Sequence, residues 1–197
     1  MTLRRQLFPR TGTIMKNLCK LVLTLAVAAG LSGCIVTFSN PLPASQPLGR
    51  DERLLGKWEG SDEGGNAGWF RFEHGSANDI NVFASGDLGN RSPALRMVTT
   101  KISGSDYMVL RLNDADIKDY IIARYSINED KLTVCLLVVD KVRDAIEKRK
   151  LKGWFEHSPW GGVTITESSK RILDLLKSPD SKNLFVCLPE MKKVTAQ

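Results

Sequence analysis

Histidine is almost missing from this chain of 197 residues: His74 and His157 are the only two, far apart and in neither H-E-x-x-H nor any other recognisable metal-binding spacing. Each reads as a surface or strand-end residue. There is no G-x-S-x-G elbow, and no cysteine and histidine follow in an order that suggests a nucleophile with its base. The stretch Gly60-Ser61-Asp62-Glu63-Gly64-Gly65 lacks the Lys-Ser/Thr of a phosphate loop, and Asp114-x-Asp116-x-x-Asp119 lacks the glycine and distal glutamate of a calcium loop. Both read as solvated turns. No catalytic residue, metal site or cofactor is therefore expected, and the chain reads as a non-enzyme.

Long apolar runs are also missing. Residues 21–30, Leu-Val-Leu-Thr-Leu-Ala-Val-Ala-Ala-Gly, are uncharged and mostly apolar, about half of the ~20 residues that a membrane-spanning helix needs. Acid is missing from residues 1–33, which hold Arg4, Arg5, Arg10, Lys16 and Lys20. From position 34 onward 23 basic residues face 22 acidic ones, so the net charge of +6 belongs almost wholly to the N-terminal segment. A folded domain so nearly neutral gives no electrostatic reason to bind nucleic acid.

What the N-terminus does contain is an ordered set of signals. Lys16 and Lys20 precede the apolar run and small residues follow it, which is the sequence of regions in a secretory signal peptide. Met15-Lys16-Asn17-Leu18 makes an ordinary signal start by itself, so Met15 is a candidate true start. Directly after the run stands Leu31-Ser32-Gly33-Cys34, which resembles the lipobox of bacterial lipoproteins. The resemblance implies cleavage between Gly33 and Cys34, diacylglycerol on the Cys34 thiol, and a membrane anchor of more than one acyl chain, enough for stable attachment. Ile35, where inner-membrane retention in enteric bacteria favours Asp, implies the outer membrane, with the folded domain in the periplasm.

Without Cys19 and Cys34, the mature chain keeps only Cys135 and Cys187. In an oxidising compartment they can pair, or they can stay as two separately buried thiols; spacing does not decide. No C-x2-C or H-x3-H pattern supports zinc.

Residues 34–50 contain three prolines among small and polar residues and read as an extended tether, so the domain is expected over 51–197. Strands are expected near 54–60, 68–74, 79–84, 95–102, 107–112, 120–127, 132–139, 163–166 and 184–188, with turn residues between most of them. Phe70, Phe72, Met108 and Tyr125 are candidates for the inner face. Ile121, Ala123, Tyr125 and Ile127 alternate inward before a hairpin turn at 128–131, and the returning strand is apolar on both faces, so a second layer should cover it. Helices are expected at 140–151, capped by Asp140, and at 168–177, capped by Ser168 and ended before Pro179. The pattern predicts a mainly β (α+β) domain: an antiparallel sheet curled into a barrel, with one or two flanking helices near the C-terminus.

Leu55-Gly56-Lys57-Trp58, opening the first strand, resembles the G-x-W entry of lipocalin and other calycin-like barrels. That resemblance implies that Trp58 plugs one end of the barrel while Gly56 lets the chain turn beneath it. The chain is also similar to bacterial envelope lipoproteins that join a lipobox, a proline-containing tether and such a start, a group that lends no activity. The densest aromatic cluster, Trp154-Phe155-Glu156-His157-Ser158-Pro159-Trp160, makes Trp154, Phe155 and Trp160, with Trp58, candidates for the rim of a ligand or partner site. A loop folded back over the barrel mouth is the simpler account of the cluster.

The function expected is a non-enzymatic binding module for a small apolar or envelope-derived ligand, held at the outer membrane. An adaptor or inhibitor that grips a periplasmic protein through loops or the barrel surface is the alternative, favoured if the barrel's own side chains fill it. Cys34→Ala is expected to accumulate as an unprocessed precursor that no longer incorporates a palmitate analogue. A variant that fractionates and labels like the parent overturns the anchor.

Overall fold

The computed structural model describes residues 35–61, 65, 67–85, 95–112, 119–155 and 162–194. The strands are β1 (Val36–Phe38), β2 (Gly56–Ser61), β3 (Ala67–His74), β4 (Ile80–Ala84), β5 (Leu95–Ile102), β6 (Ser105–Leu112), β7 (Tyr120–Asn128), β8 (Lys131–Leu137), β9 (Gly153–Phe155), β10 (Val163–Ile165), β11 (Phe185–Cys187) and β12 (Met191–Val194). Two helices, α1 (Val139–Glu147) and α2 (Ser169–Lys177), pack beside them. From β2 to β8 each strand pairs antiparallel with the next, and β12 returns between β8 and β2. The result is the expected closed antiparallel barrel, of eight strands.

Tight turns set its registers. Ser103 and Gly104 both have positive φ, 49° and 78°, the conformation that a two-residue hairpin between Ile102 and Ser105 requires. The β7–β8 turn is also two residues long, Glu129-Asp130, since Asn128 and Lys131 still pair.

Alternation along the strands divides the apolar residues into two cores. Inside the barrel lie Trp58, Phe72, Ile80, Val82, Leu95, Met97, Met108, Ala123, Tyr125, Leu132 and Met191. The opposite faces of β6, β7 and β8, carrying Tyr107, Val109, Ile122, Cys135 and Leu137, join a second cluster with Val142 of α1 and Ile172, Leu173 and Leu176 of α2. This outer layer covers the second apolar face of β8. Ser168 caps α2 by accepting from the Arg171 amide, as expected. Helix α1 differs: it starts at Val139 with Val138 as a cap that offers no side-chain bond, Asp140 lies in its first turn, and it ends at Glu147.

The segment expected to be a free tether is docked. Strand β1 runs parallel to β10, and Phe38 pairs with Tyr120 of β7. Val36, Phe38 and Leu42 are buried in the outer core. Beyond them, the Asn40 side-chain amide donates to Glu167 O at 2.9 Å, the Gln46 amide donates to Thr100 Oγ1 at 2.8 Å, and Gly49 and Thr99 exchange backbone bonds of 2.8 Å each. Proline composition pointed to an unpaired chain because prolines cannot donate to a ladder. The non-proline residues between them supply the bonds, and alternating Val36 and Phe38 supply the apolar face.

Complete burial of Phe38 makes its replacement costly. Phe38→Ala is expected to lower stability by about 3–5 kcal/mol in urea unfolding. A free tether would show no loss.

Candidate functional site

The two ends of the barrel are built differently. At one end the chain crosses beneath the strands through a short 3-10 turn, Glu52–Leu54, before entering β2. Gly56 takes φ +113°, a conformation open to glycine, and a Cβ there would stand 3.2 Å from Lys193 Cε. The turn brings Leu54 and Trp58 inside, both fully buried. Trp58 Nε1 donates to Leu54 O at 2.6 Å, and Lys193 Nζ sits 5.1 Å from the indole centroid while donating to Arg53 O at 2.9 Å. Trp58 therefore plugs the floor, in the place that the G-x-W resemblance implies.

A polar latch holds this floor shut. Asp51 caps the turn by accepting from the Arg53 amide at 3.0 Å, and its other oxygen accepts from Arg53 Nη2 at 2.7 Å and from Tyr125 Oη at 2.8 Å. Arg53 reaches on to Asp106 at 3.4 Å, and Lys101 pairs with Asp106 at 3.2 Å. Burial alone would raise the Asp51 carboxyl. The bonds from Arg53 and Tyr125 and the guanidinium charge outweigh it and hold the group below its ordinary value. Tyr125 is pushed up, first by burial and then by its bond to the Asp51 carboxylate.

An open cleft of about 410 Å³ lies against the latch, between the 47–53 segment and Thr99–Lys101. Its charged groups are consumed by one another, Arg53 by Asp51 and Asp106, Lys101 by Asp106, and Arg50 by Glu52 at 2.7 Å. His74 lies nearby with Nε2 3.8 Å from Glu52, exposed and with no nucleophile beside it among the described residues.

Toward the opposite end the interior changes character. Phe70, Leu110, Val134, Leu136 and Leu188 pack against the inner core yet are only partly buried, as are Leu55 and Ile127 nearer the floor. The floor itself is filled by Trp58, Ile80, Met97, Leu132 and Met191. The inward periodicity of β3, β6 and β8 carried the signal for these residues.

The expected rim is not assembled. Trp58 is at the closed floor, because the 3-10 turn draws it inside. Phe155 packs on the outer core beneath Arg143, whose guanidinium lies 5.5 Å from its ring. Trp154 faces the other way on the edge strand β9 and is 52% exposed. Trp160, like His157, Gly33 and Cys34, lies outside the described residues. Cys135 and Cys187 stand directly opposite each other on β8 and β11 and are joined by a disulfide. It belongs to the outer layer.

Among the described residues no group of three or more His, Cys, Asp or Glu is gathered to hold a metal ion, and no helix is long and apolar enough to cross a membrane. Comparison with known protein families, characterised proteins and solved structures finds no match.

The latch makes stability depend on pH with a definite sign. Since the Asp51 carboxyl is depressed in the fold, its contribution is complete above about pH 4 and is lost as pH falls through the folded value. Asp51→Asn is expected to cost about 1 kcal/mol at pH 7 in urea unfolding and to make stability fall less steeply below pH ~4. An unchanged slope would remove Asp51 from the latch.

Proposed function

We propose that the protein is an outer-membrane lipoprotein, anchored through Cys34 with its barrel in the periplasm, that binds a small apolar or envelope-derived molecule in a cup lined by Phe70, Leu110, Val134, Leu136 and Leu188. The observation that carries this reading is the set of apolar residues that pack against the inner core of the barrel and are only partly buried. A barrel used only as a scaffold gains by packing its interior from end to end, because every unfilled apolar contact forfeits dispersion energy. Here Trp58 and the latch close one end, while Phe70, Leu110, Val134, Leu136 and Leu188 are only partly buried, and we read them as the lining of a cup. Concave apolar surface of this kind suits a ligand held mainly by burial, at about 25 cal/mol per Å² removed from water. The reading needs no catalytic group.

A second reading rests on Trp154. An exposed tryptophan on a free edge strand suits a protein partner that adds a strand or covers the indole, which is the adaptor alternative.

Native mass spectrometry of the chain beginning at residue 35 separates the two. The cup predicts a co-purifying lipid-sized adduct that Leu136→Gln diminishes. Repeated absence of an adduct, with a protein captured by a crosslinker placed at position 154, favours the adaptor instead.

A further inference from the structure

Strand β9 is a free edge of the sheet, and its register with β10 and β1 fixes which way each side chain points. Phe155 stands opposite Val163, and Val163 opposite Val36, all three on the side of the outer core. Gly153 approaches α1 so closely that a Cβ there would stand 2.6 Å from Ile146 Cδ1 and 2.5 Å from Thr164 O. With residues 153 and 155 held against the outer core, alternation turns Trp154 outward, in one row with Thr164 and Thr37. The two threonine hydroxyls lie 3.0 Å apart, and Thr37 donates to Asp119 at 3.1 Å, so the polar members of the row are satisfied. Trp154 is the most exposed of the large apolar side chains among the described residues, ahead of Leu48 and Val194. Its exposure is imposed by the strand.

The chain that leads into this strand is basic. From 147 to 152 Lys148, Arg149, Lys150 and Lys152 stand against Glu147 alone, all of them exposed. Lys148 pairs with Asp144 at 2.7 Å, while Arg149, Lys150 and Lys152 join no ion pair among the described residues. Lys152 continues the ladder, its carbonyl accepting from the Thr166 amide at 2.9 Å, and two residues before Trp154 it shares the outward side. The buried acid Glu167 accepts from the Lys152 amide at 2.9 Å and so holds the backbone at the start of β9.

We propose that this face, Trp154 with Arg149, Lys150 and Lys152, rests on the bilayer that holds Cys34, the indole among the headgroups and the bases on anionic phospholipid. The proposal rests on the reading that Cys34 is acylated and names the side of the domain that then meets the membrane. Covalent reach decides the occupant. Thr37 is two ladder steps from Trp154 and three residues from Cys34, so the Trp154 Cα lies within about 21 Å of the Cys34 Cα by any path of the linking residues. An acylated Cys34 sits at the level of the headgroups, and a fold that begins at Val36 then has β1, with β10 and β9 beside it, next to that layer. Indole rings suit this level, where an apolar body and a polar N–H both find partners, and exposed bases are drawn to anionic headgroups.

The test reconstitutes the full-length lipidated protein in vesicles of phosphatidylcholine brominated on its acyl chains just below the headgroups, with and without phosphatidylglycerol. Bromine quenches tryptophan emission only at near contact, and the difference between the protein and Trp154→Phe isolates this indole from Trp58, Trp69 and Trp160. That difference is expected to lose most of its intensity to the bromine, more with phosphatidylglycerol and less with added salt. Arg149→Gln, Lys150→Gln and Lys152→Gln together are expected to remove the part that depends on phosphatidylglycerol, with the thermal midpoint unchanged because all three side chains are exposed. Protein that resists a carbonate wash while its Trp154 emission is unquenched overturns the docked face and leaves the Cys34 anchor standing. Protein that washes off, and takes up no palmitate analogue in cells, overturns the anchor and the face together. Quenching indifferent to phosphatidylglycerol overturns the part given to the bases. A photocrosslinker at position 154 that captures a protein and no lipid in whole envelopes overturns the face in favour of the adaptor.

Discussion

Closure by β12 is the constraint on which the rest of the structure depends. Residues 191–194 lie between β8 and β2, pairing Met191 with Leu132 on one side and Lys193 with Trp58 on the other. Without that strand, the facing edges of β2 and β8 would stand open, with unpaired backbone groups that attract other chains. With it, the sheet becomes a barrel whose interior is narrow enough for its own side chains to fill. Met191 and Trp58 both lie in that interior, and Lys193, directly opposite Trp58 and two residues beyond Met191, ties the floor turn by donating to Arg53 O. Residues 191–194 therefore fix where β2, the first strand of the barrel, can lie.

Two economies follow from the apolar character of β8 on both faces. Its inward residues Leu132, Val134 and Leu136 complete the barrel, and its outward residues Cys135 and Leu137 begin the outer core. That outer core is assembled from pieces too short to stand alone: the three-residue strands β1, β9, β10 and β11 and two helices of nine residues each. Each gains stability only from the barrel wall behind it. The disulfide between β8 and β11 fastens one such piece, and the docked 36–49 segment fastens another.

Docking of that segment also bears on how the domain sits at a membrane. Only Ile35 separates Cys34 from β1, a reach of about 3.5 Å. If Cys34 carries acyl chains, the barrel rests against the headgroups and does not swing at the end of a tether.

Much of the fold was legible in the amino-acid order because it is local. Alternation identified the long strands and their inner faces, including Phe70, Phe72, Met108 and Tyr125, since side chains of a strand alternate strictly between faces. The Ser168 cap was legible for the same reason, as it needs only its own next three residues. Gly56 and Trp58 marked the floor through a short motif, and the order of cation, apolar run and Leu31-Ser32-Gly33-Cys34 is a statement that only the sequence makes. Tertiary structure alone decided what depends on residues distant along the chain: that four residues at 191–194 close the barrel, that the 36–49 segment docks, that Cys135 meets Cys187 and that Trp154 stands on an edge strand. Short or proline-interrupted segments carry too little periodicity to announce themselves, and register is selected by the partner strand's packing, which no local pattern contains.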